Sequence, residues 1–472
     1  EMEDHYFGTL KPKVAAYMHD LDVELWKLGI PAKTKHNEVA PAQHELAPVF
    51  DTTNVAVDHN QLTMEIMKKV ADKHDLVCLL HEKPFEGING SGKHNNWSMI
   101  TDDGVNLLDP GKTPSENIQF LVFLMAVIKA VDEYADLLRI SVASAGNDHR
   151  LGANEAPPAV VSIFLGDELT EVLKSIENDT YFTSHGAVQM DIGATVLPHF
   201  VKDNTDRNRT SPFAFTGNKF EFRMLGSAAS VANPNIVLNT AVAEALDQFA
   251  KELDGVAPED MEHAVHELIK RAIKKHKRVI FNGNGYTDEW IEEAKKRGLY
   301  NLKSTPDALP MWIAQKNIDL FTKHSIFTSE ELHSRYEIWL ENYSKTINIE
   351  SNTMVEMVQK DLLPSVMSYI EEIASTASLK ASVVPGITCE SETALITKLS
   401  ELQDAMTKGL EKLKSDTAKA RATEDVLENA KLYQAKVLED MEELRKSADA
   451  AETLIPDDLL PYPTYGKLLF YI

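Results

Sequence analysis

The spacing of apolar residues along the chain predicts amphipathic helices that alternate with a few short strands. Apolar side chains that recur every three or four residues indicate helices, whereas short apolar or alternating runs between turn residues indicate strands. On these criteria we expect helices at 14–28, 60–70 and 113–135, and strands at 75–80, 159–165 and 220–224. Gly29 and Pro31 would end the first helix, and Thr113 or Ser115 would cap the third.

The last predicted strand carries charge on one side. Because successive side chains of a strand point to opposite faces, Glu221 and Arg223 share one face, and Phe220 and Phe222 share the other. Two neighbouring charges of opposite sign indicate the floor of a functional site. A solvated face of an edge strand is the alternative.

Beyond residue 350 the sequence becomes predominantly helical. Residues 351–373 have helical spacing with an expected kink at Pro364, and the Ser-, Ala-, Val- and Gly-rich stretch 375–389 is expected to be a linker. Residues 390–446 contain neither Pro nor Trp and carry two apolar stripes, which predicts a helical pair. We expect this pair to serve packing or assembly, with binding of a regulator as the alternative, and the Pro- and Tyr-rich tail at 456–465 to dock onto the body.

The segment from Glu38 to Glu45 holds two carboxylates on a stretch that cannot form a regular helix, because Pro41 lacks a backbone donor and favours extended geometry before it. Seven extended residues would span roughly 23–25 Å, so the segment must fold back if the two side chains are to meet. Carboxylates brought together in this way usually share a hard divalent cation or a proton. Two solvated glutamates on a proline loop are the alternative.

Composition limits what the chain can bind. The formal net charge of −25 disfavours nucleic acid and anionic membranes as partners, and it requires that any anionic substrate be met by a local group of Arg and Lys. Two cysteines far apart exclude a disulfide framework and a Cys-rich zinc site. The longest apolar run, 120–128, is too short to span a bilayer, and the N-terminus lacks a signal-peptide pattern. We therefore expect a cytoplasmic enzyme.

Three further segments become informative together with the Glu38–Glu45 segment. They are residues 83–94 (KPFEGINGSGKH), 147–157 (NDHRLGANEAP) and 207–223 (RNRTSPFAFTGNKFEFR). In this order the four segments resemble glutamine synthetase, and the last of them is specifically similar to the type III branch of that family. The resemblance extends from about Asp4 to the C-terminus.

The resemblance implies an α+β fold, with a catalytic domain at 1–345 in which helices back an antiparallel sheet, and a helical extension at 346–472. It also implies that ATP phosphorylates the γ-carboxylate of L-glutamate and that ammonia displaces the phosphate, giving glutamine, ADP and phosphate. The family forms ring-shaped homo-oligomers, so a dodecamer of two hexameric rings is expected. The same fold could join glutamate to another amine, and a non-catalytic structural relative is a further alternative.

For cations, the resemblance implies two or more Mg²⁺ or Mn²⁺ ions in each active site. Glu38 and Glu45 correspond to ligands of the ion near glutamate and ammonium, and His94 and Glu221 correspond to ligands of the ion near the phosphates of ATP. Carboxylate oxygens with an occasional imidazole are what these hard ions prefer. The other histidines, including His44, receive no role in this interpretation.

The resemblance assigns the binding of anions to arginines. Arg150 and Arg223 correspond to residues that hold the carboxylates of glutamate, where the planar guanidinium permits bidentate binding. Arg209 corresponds to the residue that faces the transferred phosphoryl group, and Arg207 could share that task.

The remaining correspondences lie outside the arginines and the cation ligands. Asn89 and Gly90 match the loop that holds the backbone of glutamate, and Ser98, with Asn96 less closely, matches the nucleotide site. Glu155 matches the carboxylate of a mobile loop that shields the intermediate from water and helps to bind ammonium. An exposed loop glutamate is the alternative for Glu155.

Two features depart from the family pattern. The family has an upstream Glu-x-Glu pair and a small N-terminal domain; Glu1 and Glu3 have that spelling but are not assigned to it, so we expect each cation to lack one carboxylate and the isolated chain to be poorly active. Ala214 stands where other branches place a second phosphate-facing arginine, and we hypothesise that Lys219 compensates as a point charge in the nucleotide site.

Overall fold

Helices and a small sheet make up the computed structural model of the chain, which describes residues 5–180, 189–190, 200–201 and 210–470. The chain divides into two units, of which the first ends at His333 and the second begins at Ser334. The division lies inside one long helix, and the predicted boundary at 345/346 lies in the same helix.

The strands of the described residues are short and belong to the first unit. Their bounds are β1 (Ala32–Asn37), β2 (His44–Pro48), β3 (Gly92–Trp97), β4 (Ile163–Phe164), β5 (Gln189–Met190), β6 (Phe200–Val201), β7 (Phe213–Phe215) and β8 (Phe220–Gly226). β1 and β2 form an antiparallel hairpin, and β5 and β6 form a second antiparallel pair. A four-stranded sheet has the order β3-β8-β7-β4. Its pairs are antiparallel, as predicted, except that β4 runs parallel to β7.

The helices of the first unit follow the apolar spacing of the sequence. Their bounds are α1 (Pro12–Lys27), α2 (Thr53–Lys73), α3 (Ile118–Glu133), α4 (Ala135–Ile140), α5 (Ala145–Arg150), α6 (Asp167–Glu177), α7 (Ala232–Leu253), α8 (Met261–His276), α9 (Asp288–Lys296), α10 (Thr305–Ala308) and α11 (Gln315–Lys323). α1 buries the apolar stripe that predicted it: Val14, Met18, Leu21 and Leu25. The predicted helices at 14–28 and 60–70 are thus confirmed, the second within the longer α2.

The start of α3 differs from the prediction. Asn117 caps the helix instead of Thr113 or Ser115, since its side-chain oxygen accepts a hydrogen bond from the Phe120 N–H at 3.0 Å. A turn precedes the cap, in which the Glu116 N–H donates to the Thr113 carbonyl at 3.1 Å. Because this turn occupies the expected first turn of helix, α3 begins later than its sequence signal indicated.

Both faces of β8 are buried, although one of them carries charge. Phe220 and Phe222 pack with Phe213 of β7, with ring centroids 4.7 Å and 5.9 Å away. Glu221 and Arg223 on the other face are only 2% and 4% exposed. The alternative of a solvated edge-strand face is therefore wrong, because β8 lies between β3 and β7 within the sheet.

Two predicted strands are absent or shorter than expected. Residues 76–80 have no regular structure, and Val77 and Leu79 are 81% and 71% exposed. Among the described residues no strand pairs with them, so an apolar run alone did not produce a buried strand. Of the predicted strand 159–165 only β4 remains. In this segment the apolar residues, such as Val160, are buried in the core without pairing in a sheet.

The second unit is helical in its described part. Its helices are α12 (Ser329–Met357), which begins in the first unit, α13 (Leu363–Val383), α14 (Glu390–Arg421), α15 (Val426–Leu432), α16 (Leu438–Glu452) and α17 (Tyr465–Phe470). A π-helical turn at Val358–Leu362 separates α12 from α13. This irregularity lies where the kink was expected, because Pro364 has no N–H to donate and its ring crowds the preceding turn.

The predicted helical pair is confirmed. α14 packs against α16, and it buries the stripe Leu399, Leu402, Met406, Leu410 and Leu413. The linker is shorter than predicted, because α13 continues to Val383. The Tyr462 hydroxyl donates to the Met357 carbonyl at 3.0 Å, so the tail docks onto helices of its own unit. Across the described residues, no helix combines the length and the apolar character needed to cross a bilayer.

Candidate functional site

The β1–β2 hairpin brings together the two carboxylates of the Glu38–Glu45 segment. The Glu38 N–H donates to the Gln43 carbonyl at 2.9 Å, and Ala42 adopts a left-handed φ of 55°, which reverses the chain. In the ladder that flanks this turn, His36 lies opposite Glu45. The segment therefore folds back, as the meeting of its two carboxylates requires.

His36, Glu38 and Glu45 form a group that we term the hairpin cluster. Each side chain offers one ligand atom, and these atoms lie within 4.8 Å of one another. His36 Nδ1 is 3.5 Å from Glu38 Oε1, and His36 Nε2 is 3.2 Å from Glu45 Oε2. Burial, together with the hydrogen bond and the negative charge of Glu45, raises the pKa of Glu38 to about 7. Two carboxylates and an imidazole fit a hard divalent cation, whose charge would relieve the repulsion between the carboxylates.

The raised pKa of Glu38 predicts how the stability of the metal-free protein depends on pH. From pH 4.5 to about 7 the folded state keeps a proton that the unfolded state has released, so this group makes the free energy of unfolding fall as pH rises. Glu38→Gln cannot titrate, and its stability relative to the wild type is expected to increase across this window. Urea unfolding of both proteins with a chelator measures the effect; a constant difference across the window would contradict it.

His94, Glu221 and Arg223 form a second group, termed the sheet cluster, on β3 and β8. The register of these strands shifts between Lys93 and Asn95, which places His94 at a β-bulge. His94 Nδ1 is 3.1 Å from Glu221 Oε1. Arg223 donates from Nε and Nη2 to Glu221 Oε2 at 3.2 and 3.1 Å. A buried guanidinium thus holds a buried carboxylate, whose other oxygen faces an exposed imidazole with which it could share a cation.

Arg150, the last residue of α5, packs against the loop of Asn89 and Gly90. A Cβ at Gly90 would lie 3.1 Å from Arg150 Cγ, and a Cβ at Gly92 would collide with the guanidinium, so both glycines permit this close approach. Gln43 Nε2 donates to the Asn89 carbonyl at 3.2 Å, which ties the loop to the β1–β2 hairpin. The structure therefore brings the predicted glutamate-binding residues of α5 and of the loop together.

Glu155 lies near Glu38 of the hairpin cluster, and Tyr286 lies near Glu155 and near Arg223 of the sheet cluster. The negative charge of Glu155 adds to the rise in the pKa of Glu38. Burial raises the pKa of Tyr286 to about 12; Glu155 adds to this rise, and the positive charges of Arg150 and Arg223 oppose it. Glu155 has a left-handed φ of 68°, which is strained for a residue with a side chain and is typical of functional loops. The loop carboxylate is thus placed where it can act on the hairpin cluster, and Tyr286 lies between it and Arg223 of the sheet cluster.

The residues predicted to bind the nucleotide lie at the end of β3 and the start of β8. Asn96 is paired with β8 in the sheet. The Ser98 hydroxyl donates to the Asn218 carbonyl at 3.0 Å, which brings Ser98 next to the turn that carries Lys219. Two further predicted residues lie outside the described part of the chain: Arg207 and Arg209.

Three residues of this region were not singled out from the sequence: His36, Glu82 and Tyr286. His36 carried a usable signal, because a residue two positions before Glu38 in an extended segment shares its face. Glu82 directly precedes the segment at 83–94 and is buried against residues far along the chain. Tyr286 is distant in sequence from the four segments, and the tertiary structure brings it close to Glu155, Arg150 and Arg223. No local pattern identifies the last two.

Known proteins resemble this chain over its whole length. Sequence models described as the glutamine synthetase catalytic domain and the glutamine synthetase C-terminal domain match residues 2–161 and 264–380. A glutamine synthetase of Butyrivibrio fibrisolvens is 60% identical over 475 residues, and a type-3 glutamine synthetase of Dictyostelium discoideum is 46% identical over 478 residues. Both alignments include 100% of this chain but only 67% and 65% of the relatives, so the chain spans about two thirds of their length.

Among solved structures, the chain is similar to one described as a GmaS/ADP complex. The similarity covers 73% of this chain and 64% of that chain, with a TM-score of 0.45 and 16% sequence identity.

Proposed function

Because this chain belongs to the glutamine synthetase family, we propose that it ligates ammonia to the γ-carboxylate of L-glutamate in a reaction driven by ATP. The observation that carries the proposal is the assembly of the hairpin cluster and the sheet cluster, with Glu155 near Glu38 of the first and Tyr286 near both Glu155 and Arg223 of the second. The proposal concerns the whole protein, since this chain spans about two thirds of its relatives. A cytoplasmic, ring-shaped homo-oligomer, a dodecamer of two hexameric rings, belongs to the same proposal.

Amide formation from a carboxylate requires that its oxygen, a poor leaving group, be converted into a phosphate, which is a better one. An oxygen of the γ-carboxylate attacks the terminal phosphorus of ATP, the bond to ADP breaks, and an acyl phosphate forms. The nitrogen of ammonia then attacks the acyl carbon, and the carbon–oxygen bond breaks to release inorganic phosphate. Since each step gathers negative charge, a site for it must hold positive groups close to the reacting atoms.

Mg²⁺ or Mn²⁺ would be held by the hairpin cluster and by the His94 and Glu221 side chains of the sheet cluster. When bound, such cations supply positive charge next to the phosphates and the acceptor carboxylate. The hairpin cluster supports this assignment, because burial and the negative charge of Glu45 raise the pKa of Glu38, and a bound cation would oppose both effects. In the sheet cluster, Arg223 fixes one oxygen of Glu221 and so orients the other.

Glutamate would be held between the loop of Asn89 and Gly90 and the arginines of the site. Arg150 packs against that loop, and Arg223 lies on β8. Their positive charges would hold the carboxylates of glutamate, and Glu155 would cover the acyl phosphate and bind ammonium before its proton is lost. The nucleotide would lie toward Asn96, Ser98 and Lys219, with Arg209 proposed to face the transferred phosphoryl group.

The proposal is tested by an amine comparison on the purified whole protein, since this chain spans about two thirds of its relatives. With ATP, Mn²⁺ and glutamate, we expect ammonium to yield glutamine and inorganic phosphate in equal amounts. Methylamine and a polyamine are expected to have much lower kcat/KM, measured by mass spectrometry of the γ-glutamyl product. A higher kcat/KM with the polyamine than with ammonium would show that the polyamine, and not ammonia, is the substrate. The absence of product with every amine would overturn the ligase activity.

A further inference from the structure

Glu82 is a buried carboxylate to which the proposed reaction assigns no role. Its side chain is 6% exposed. A Cβ built on Gly146 would lie 2.5 Å from Glu82 Oε2, and one built on Gly226 would lie 2.5 Å from Glu82 Oε1. Any larger residue at these two positions would collide with the carboxylate. The backbone of α5 and of the end of β8 is therefore shaped around this group.

Hydrogen bonds tie Glu82 to two parts of the site. The Ala228 N–H donates to Glu82 Oε1 at 3.1 Å, just beyond β8. The Ser91 N–H donates to the Glu82 carbonyl at 2.8 Å, and a Cβ on Gly90 would lie 2.6 Å from the same oxygen. Glu82 thus connects the loop proposed to hold glutamate with the strand that carries the sheet cluster.

Arg150 is the buried cation of the same region. It is 5% exposed, and it donates to the Leu225 carbonyl at 3.1 Å and to the Arg223 carbonyl at 3.3 Å. Burial lowers the pKa of Arg150 to about 10, and the negative charge of Glu82 opposes this fall. Because an isolated buried charge is costly, a carboxylate and a guanidinium that share one interior region stabilise each other.

We propose that Glu82 is a positioning residue for Arg150: its buried negative charge stabilises the buried guanidinium and keeps it seated against β8, where it can hold a carboxylate of glutamate. This inference rests on the proposed function in naming glutamate as the ligand. Glu82 itself does not touch the substrate and acts through Arg150. The acid is held by two glycines and a backbone N–H, so its place does not depend on the presence of substrate.

Glu82→Gln separates the charge from the shape, since the amide oxygen can still accept from Ala228. We expect the KM for glutamate to rise about 10- to 100-fold, because a displaced Arg150 would lose a hydrogen bond to a carboxylate of glutamate. The KM for ATP is expected to stay within about twofold. Glu82→Asp keeps the charge and is expected to restore part of the glutamate affinity. Gly226→Ala displaces the carboxylate without removing its charge and should also raise the KM for glutamate.

A matched control is Asp136→Asn. Asp136 is fully buried and lies 2.9 Å from Lys316 Nζ, remote in sequence from the loop and from β8. This variant also loses a buried negative charge, so its stability should fall, but its KM for glutamate should not change. If Glu82→Gln leaves the glutamate KM unchanged, or raises the KM for glutamate and for ATP equally, the positioning role is overturned.

A double-mutant cycle decides the coupling without any turnover. We expect the effects of Glu82→Gln and Arg150→Met on the unfolding equilibrium constant to be non-additive by about 10-fold. Each single variant removes one charge of the pair and leaves the other buried without it. Additive effects would overturn the proposal. If the wild type makes no glutamine, the proposed function fails, yet this cycle still tells whether Glu82 and Arg150 act as a pair.

Discussion

Replacing Glu45 by glutamine is expected to lower the affinity for Mn²⁺ by at least about 100-fold and to abolish most glutamine formation, since removing a ligand costs more than removing a group behind it. The reason lies in the hairpin cluster, in which two carboxylates and His36 offer three ligand atoms within 4.8 Å. An amide keeps the volume of the side chain but removes one of the two negative charges that a hard cation requires. Calorimetric titration with Mn²⁺ measures the affinity.

The control for this experiment is His44→Gln in the same strand. His44 lies opposite Asn37 in the ladder and directly precedes Glu45, so its side chain points to the other face of the hairpin. Its replacement is expected to leave Mn²⁺ affinity unchanged. Glu221→Gln is expected to weaken a second binding event. Unchanged Mn²⁺ binding in both Glu45→Gln and Glu221→Gln would favour a non-catalytic structural relative over an enzyme.

Arg223→Met is expected to destabilise the metal-free protein by about 3–5 kcal/mol, because it removes one partner of a buried ion pair. Glu221 and Arg223 are 2% and 4% exposed, and Arg223 donates twice to Glu221 Oε2, at 3.2 and 3.1 Å. Without these donors the buried carboxylate would lose the guanidinium that balances its charge. The midpoint of urea unfolding in the presence of a chelator measures the loss.

The partner variant makes this prediction specific to the pair. Glu221→Gln alone is also expected to destabilise, but the double variant should be less damaged than the sum by about 0.5–3 kcal/mol. Lys251→Met, which removes an exposed ion pair with Asp247 on α7, serves as the comparison and should barely move the unfolding midpoint. Strict additivity of Arg223→Met and Glu221→Gln would show that the two residues do not support each other.

Helices were the most predictable part of the fold. The stripes of α1 and α14 follow from local spacing, and an amphipathic helix needs only some apolar surface to cover its stripe. Strands were less predictable: the apolar run at 76–80 forms no strand, and 159–165 is mostly unpaired. A strand needs a partner that can lie anywhere in the chain, and no local pattern supplies it.

The family was already indicated by four short segments of sequence, and the comparisons confirm it. The segments also contained most of the site: the two glutamates of the hairpin cluster, all three members of the sheet cluster, and Arg150. Pro41 excluded a regular helix in the first of these segments, and a meeting of its two carboxylates required the segment to fold back. These statements depend on residue identity and short-range geometry, which a sequence contains directly.

Tertiary structure alone decided which further groups join them. His36 enters the hairpin cluster because the register of β1 and β2 sets it opposite Glu45. Glu82 becomes the buried neighbour of Arg150 because α5 and the end of β8 leave space at two glycines, Gly146 and Gly226. Register and burial are set by pairing between segments that are distant in the chain, so the charge environment of these groups exists only once those segments have packed together.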